Sequence, residues 1–265
     1  MLTAFGDKHN IPGPWFENMV KMKWNEWPGL GLVRMYGHDI AQNRNQMVEV
    51  ALATDCEWFL WLDSDQITPK GIIWRLLSWG EKIVAACVFK KEPQSGFMPV
   101  FLKRSKLPTL DSEYDVAFGD VLRYLYKHMD VPSAEESGIL LPPQGALLEL
   151  DAVGFGCVLT HRSIFEELSP PWFAWKDFSE DLYFCRRAKK HGYKIFGDMG
   201  AIVGHVTKAT VGHRSFLGRY AQYIGKMEQL ESMDLNKVAE AIQRNRVEEG
   251  KTDWIRMMNE AEEVK

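Results

Sequence analysis

The segment Trp58–Leu62 reads WFLWL, five consecutive apolar residues bracketed by Glu57 and Asp63. A run without alternation cannot form a strand with one wet face, so it predicts a central strand covered on both sides. Ile83–Phe89 is a second run of this kind, and LTAF near the start and GLVRMY (Gly31–Tyr36) read as further strands around a helix over Trp15–Trp27. Between the runs lie helical patterns. From Asp39 to about Thr54, Ile40, Met47, Val48, Ala51 and Leu52 recur at helical spacing. Thr68 and Pro69 offer an N-cap and first-turn proline for a helix through Leu77, and Ser179 and Gly192 bracket another. Strands alternating with helices predict an α/β protein.

The chain of 265 residues is long enough for one large domain with an appendage. At that length about three quarters of the unfolded surface can be buried, so neither disulfides nor structural metals are required. Cys56, Cys87, Cys157 and Cys185 lack CxxC or metal-ligand spacing and are predicted to be reduced thiols. The formal net charge of -4 excludes a global basic field of the kind that drives indiscriminate nucleic-acid binding. Local basic groups (Lys103-Arg104, Arg186-Arg187, Lys189-Lys190) keep nucleic acid open as a partner without favouring it. Met1–Gly6 is too short for a targeting core, and no apolar stretch approaches the ~20 residues of a membrane span, so a cytoplasmic protein is expected. Residues 97–143, with strand-like MPVFL and VLRYLY, read as a variable insert, and 220–265 as a polar helical appendage.

The chemistry concentrates at strand ends. Asp63-Ser64-Asp65 directly follows the buried strand, and residues i and i+2 there can turn both carboxylates toward one cation. Open α/β sheets bind ligands at the carboxyl ends of their strands. An isolated DxD is equally consistent with a solvated turn. Arg44 falls on the apolar face of its helix and requires an anion, either a buried acid or a ligand. Gly154 and Gly156 in GFGC permit close backbone approach. Trp172 and Trp175 in SPPWFAW can stack on a ring or simply pack. Glu180 and Asp181 open a helix, where acids also serve its dipole.

In order and spacing, HDIAQNRNQMVEVAL…CEWFLWLDSDQITP…DAVGFGCVLTHRSIFEEL…PWFAW…SEDLYFCRRAKKHGYKIFGDMGAIVGH resembles the GT-A fold glycosyltransferases, particularly the small family-2-like kind, from Leu2 to His205. The resemblance implies a mixed, mostly parallel sheet flanked by helices in a catalytic domain over 1–219, which moves a sugar from a nucleotide-diphosphate sugar to a hydroxyl acceptor (a glycan, a protein or a modified nucleobase). It implies Mn2+ or Mg2+ held by Asp63, Asp65 and His205, with Asp63 also near the ribose. Ala4, Phe5 and Asp39 would cradle the base, and Arg44 would meet the nucleotide or brace the acids. Gly154, Phe155, Gly156, Trp172 and Trp175 would line the acceptor and sugar side. Asp181, with Glu180 beside it, would be the general base, and Lys208 and Arg214 would belong to a lid closing over the diphosphate.

Two other enzyme classes compete. FLWLDSDQIT looks like a haloacid-dehalogenase phosphatase motif, but Ile67 and Ile202 stand where Thr or Val and a second Asp belong. A nucleotidyltransferase would share the metal–nucleotide acids but need a better phosphate loop than GDKHNIPG. A non-catalytic nucleotide- or sugar-binding module is the remaining alternative.

Overall fold

The computed structural model describes residues 2–4, 31–35, 39–90, 98–105, 114–128, 146–176, 179–206 and 210–211. The helix expected over Trp15–Trp27, the appendage 220–265, Phe5, Lys208 and Arg214 lie outside them.

Among the described residues, nine strands form a mixed sheet. Strands β1 (Leu2–Ala4), β2 (Val33–Met35) and β3 (Trp58–Leu62) run parallel at one side. The sequence then inserts an antiparallel neighbour, β10 (Cys157–His161), between β3 and β5 (Ile83–Val88). The long β11 (Ile195–Val206) continues parallel to β5, and three short strands pair with it: β4 (Gln66–Ile67), β8 (Leu147–Leu150) and β12 (Thr210–Val211). A three-stranded antiparallel sheet joins β6 (Phe101–Arg104), β7 (Tyr114–Val116) and β9 (Ala152–Val153).

Both faces of β3 and β5 are covered, as their unalternating sequences require. On one face α1 (Ile40–Leu52), α4 (Ser163–Glu167) and α5 (Glu180–Lys190) bury Met47, Val48, Phe165, Phe184 and Cys185 against Phe59, Trp61, Ala85 and Cys87. On the other, α2 (Ile72–Leu77) packs Ile72, Ile73 and Leu76 on Leu60, Leu62, Val84 and Ala86.

The helix boundaries show which local signals prevailed. Asp39 caps α1, its Oδ1 accepting from the amides of Ala41 and Gln42. Ser179 caps α5 through the Leu182 amide, and Gly192 follows that helix at φ 87°. Thr68 and Pro69 do not start α2. Gln66–Ile67 first pair with β11, and the chain enters the helix only after Gly71, in the left-handed region at φ 70°.

VLRYLY is helix rather than strand, forming the centre of α3 (Phe118–His128). Val121, Leu122, Tyr124 and Leu125 are buried while Arg123 is exposed, a helical period hidden by the density of apolar residues. The described part of the expected insert packs into the domain, since Phe101, Val121 and Leu122 share one core with α1 and α5. The cysteines are free thiols, and Cys87, Cys157 and Cys185 are buried. No described helix is long and apolar enough to cross a membrane.

Candidate functional site

The carboxyl ends of β3 and β11 meet at one edge of the sheet. Asp63 leaves β3 with its amide bonded to the Gly156 carbonyl at 3.0 Å, and the Gln66 amide bonds back to the Asp63 carbonyl at 3.2 Å. This tight turn, followed by β4 pairing with β11, brings Asp65 beside His205 although 140 residues separate them. The Val206 amide donates to the Asp65 carbonyl at 2.7 Å, which locks the two segments together.

The side chains make a directed pair. His205 Nδ1 lies 2.9 Å from the Phe89 carbonyl oxygen, and Nε2 lies 3.0 Å from Asp65 Oδ2. A carbonyl can only accept, so Nδ1 carries the hydrogen and a neutral ring turns the lone pair of Nε2 toward the carboxylate. Two acceptors facing each other need a cation between or beside them, either a proton or a metal. A divalent metal fits this donor set. A backbone carbonyl fixing the far nitrogen is how a ligating imidazole is oriented.

Asp63 does not join that pair. Its Oδ1 lies 3.3 Å from Arg44 Nη2, and no cluster of three metal-ligating side chains is present among the described residues. Of the three expected ligands, the structure brings Asp65 and His205 together and places Asp63 beside Arg44. Asp63 instead belongs to a second cluster centred on Arg44. The Arg44 guanidinium is 3% exposed, pairs with Glu180 at 2.7 Å and with Asp181 at shorter range, and lies over the rings of Phe155 and Phe173.

The anion that the inward-facing Arg44 required is therefore a set of acids, of which Glu180 is buried and Asp63 and Asp181 are partly exposed. Burial works against the Arg44 charge, but Asp181, Asp63 and Glu180 outweigh it and hold the group protonated beyond its ordinary range. Removal from water pushes Glu180 up to about 7, reinforced by Asp181 and only partly offset by Arg44. It likewise pushes Asp63 up to about 6, with Arg44 pulling the other way.

Several site residues take other roles than expected. Glu180 is 6% exposed and held against Arg44, out of reach of a substrate hydroxyl. Asp181 is more open, and its Oδ2 accepts from the Phe155 amide at 3.1 Å. Phe155 is buried in an aromatic cluster with Trp61, Phe173 and Phe184, so it cannot line an acceptor groove.

The close approach at the two glycines is made by the protein itself. A Cβ on Gly154 would stand 2.6 Å from Val100 Cγ1, and one on Gly156 would stand 3.2 Å from Gln66 Nε2. Trp172 is 5% exposed and donates its indole hydrogen to the Phe165 and Leu168 carbonyls, a core role. Trp175, by contrast, is 60% exposed, and its indole nitrogen donates to Asp39 Oδ1 at 3.0 Å. Asp39 is thereby committed to capping α1 and holding Trp175. Ala4 ends β1 beside Met35 of β2.

Asn45 was not singled out by its sequence context. Its amide accepts from the Trp172 and Phe173 amides and donates to the Phe173 carbonyl, which ties the aromatic loop to α1. A polar residue directly after the inward arginine was the available signal. Two of the basic groups on α5 are spent internally: Arg187 binds the Pro171 and Ser169 carbonyls, and Lys189 pairs with Asp151.

No protein-family model matches the chain. Among solved structures, the crystal structure of A197 from STIV superposes with a TM-score of 0.51 at 14% sequence identity, over 78% of this chain and 85% of that one. The two share a fold. Both are of the α/β class, with a mixed sheet flanked by helices in this chain.

Proposed function

We propose that the protein is a metal-dependent glycosyltransferase of the GT-A type, moving a sugar from a nucleotide-diphosphate sugar to a hydroxyl acceptor. The observation that carries this reading is the 3.0 Å approach of His205 Nε2 to Asp65 Oδ2 at the carboxyl ends of two strands, with Nδ1 anchored by the Phe89 carbonyl. In a phosphatase nucleophile motif the first aspartate must be unencumbered. Here that aspartate, Asp63, leans on Arg44.

Asp65 and His205 would hold Mn2+ or Mg2+, which when bound supplies positive charge to the departing diphosphate. The remaining work falls to the chain. Arg44 keeps Asp63 and Asp181 at fixed positions by ion pairing, and the Phe155 amide orients the Asp181 carboxylate. Asp181 is the general base that takes the proton of the acceptor hydroxyl, which implies displacement with inversion at the anomeric carbon. Trp175, exposed but anchored through Asp39, is the platform on which a sugar or acceptor ring stacks.

Titration calorimetry with Mn2+ and a panel of UDP- and GDP-sugars, followed by mass spectrometry for free sugar released by slow hydrolysis, tests the proposal without knowledge of the acceptor. Metal-dependent donor binding that is lost in His205→Ala supports it. Binding of sugar nucleotides unchanged by chelation would overturn it in favour of a non-catalytic module.

A further inference from the structure

Strand β11 departs from regular pairing at one place. Asp198 faces Ala86 of β5 and Ile202 faces Cys87, so Met199, Gly200 and Ala201 have no counterpart on β5. An odd number of extra residues exchanges the two faces of everything that follows. Asp198 and His205 are seven positions apart and would point to opposite faces of an unbroken strand. With three residues taken out of register they share the face that α2 covers. The packing agrees: Ala201 and Val203 lie with Val84, Ala86 and the α2 side chains, while Ile195 and Met199 lie in the other core with Ala85 and Cys87.

The bulge is held by a fully buried carboxylate. Asp198 accepts from Arg75 Nε at 2.6 Å and Nη2 at 2.8 Å, from the Trp79 indole at 2.9 Å, and from the amides of Gly200 and Ala201 at 2.9 and 3.1 Å. Both donor side chains come from α2 and the turn after it. Gly200 is required by the same arrangement, because a Cβ there would press on Arg75 Nη2 and stand 2.6 Å from Tyr124 Oη.

We infer that Arg75 and Asp198 are positioning residues for the site: by fixing the three-residue bulge they set the face and reach of β11 that deliver His205 to Asp65. They do so without contacting substrate. Their effect on metal binding rests on the reading of His205 as a metal ligand; their effect on the strand does not.

The test uses Gly200→Ala, which displaces Arg75 from within, and Trp79→Phe, a milder change that removes one donor to Asp198. Two readouts are taken: hydrogen exchange of the Val206 amide, bonded to the Asp65 carbonyl, against amides of the β5–β10 ladder; and Mn2+ affinity by calorimetry. The expected result is a Val206 exchange rate raised about tenfold or more in Gly200→Ala, less in Trp79→Phe, with the ladder nearly unchanged. Mn2+ affinity falls about 10–100-fold, as it does when an outer support of a metal ligand is lost. Val206 exchange that stays constant, or that rises only in step with the ladder, would overturn the inference; Trp79→Phe keeps that outcome readable if Gly200→Ala does not fold. If Val206 responds as expected but the unaltered protein binds no Mn2+, the positioning role stands and the transferase reading falls.

Discussion

Arg44 Nη1 lies 2.7 Å from Glu180 Oε1, joining two helices whose contact residues are 136 positions apart in the chain. Asp181 and Asp63 close on the same guanidinium. One buried cation thus organises the start of α5 and the end of β3.

Arg44→Ala should be among the most damaging single substitutions in the protein. It leaves Glu180 and its acidic neighbours without their counter-charge in a site closed by Phe155 and Phe173. Breaking a buried pair in this way costs about 3–5 kcal/mol. Urea denaturation should show the loss as a lowered midpoint with an unchanged slope.

Glu180 sets a pH dependence of definite sign. Its carboxyl, raised by burial and by Asp181 from 4.5 to about 7, binds a proton more tightly folded than unfolded. The folded state then carries more bound protons in that window, so this contribution to stability is present below it and is lost as pH rises from 4.5 toward 7. Comparing unfolding free energies at about pH 5 and pH 8, Glu180→Gln should decline less than the unaltered protein by on the order of 2 kcal/mol. Equal declines would remove Glu180 from the account.

Asp181, partly exposed, and Trp175, exposed, should separate chemistry from binding. Asp181→Asn keeps its place beside the Phe155 amide but cannot take a proton, so transfer should fall about 100-fold or more while donor affinity holds. Trp175→Ala removes an exposed ring, so the melting temperature should barely move while KM for acceptor or donor rises. Steady-state kinetics with an identified acceptor reads both.

Gly154→Ala should destabilise by about 1–3 kcal/mol, because the new methyl meets Val100 at 2.6 Å in a packed region. If the glycine served a ligand instead, stability would hold and affinity alone would change.

Much of the sheet was legible because fully buried strands leave an unmistakable pattern. Trp58–Leu62 has the same limits in sequence and structure, and Ser179 was readable as a cap from its side-chain chemistry. The meeting of Asp65 and His205 was expected from the family resemblance rather than from the local sequence of either. What was not legible depended on pairing between distant segments. Thr68-Pro69 carries a good helix start, yet β4 claims the preceding residues for β11. Phe155 and Trp172 have the composition of a binding surface, and only the packing of α5 and the Asn45 bonds place them inside. Nothing local in GDMGAIVGH reveals a bulge, since a register shift exists only relative to β5.

The cluster on Asp198 has a consequence for how this segment can change. Because strand parity is counted in twos, gaining or losing a single residue between Asp198 and Ile202 would invert the imidazole away from its partner even if every side chain were kept. Sequence drift at these positions is tolerable wherever Asp198 keeps its donors, whereas drift in length is confined to even steps.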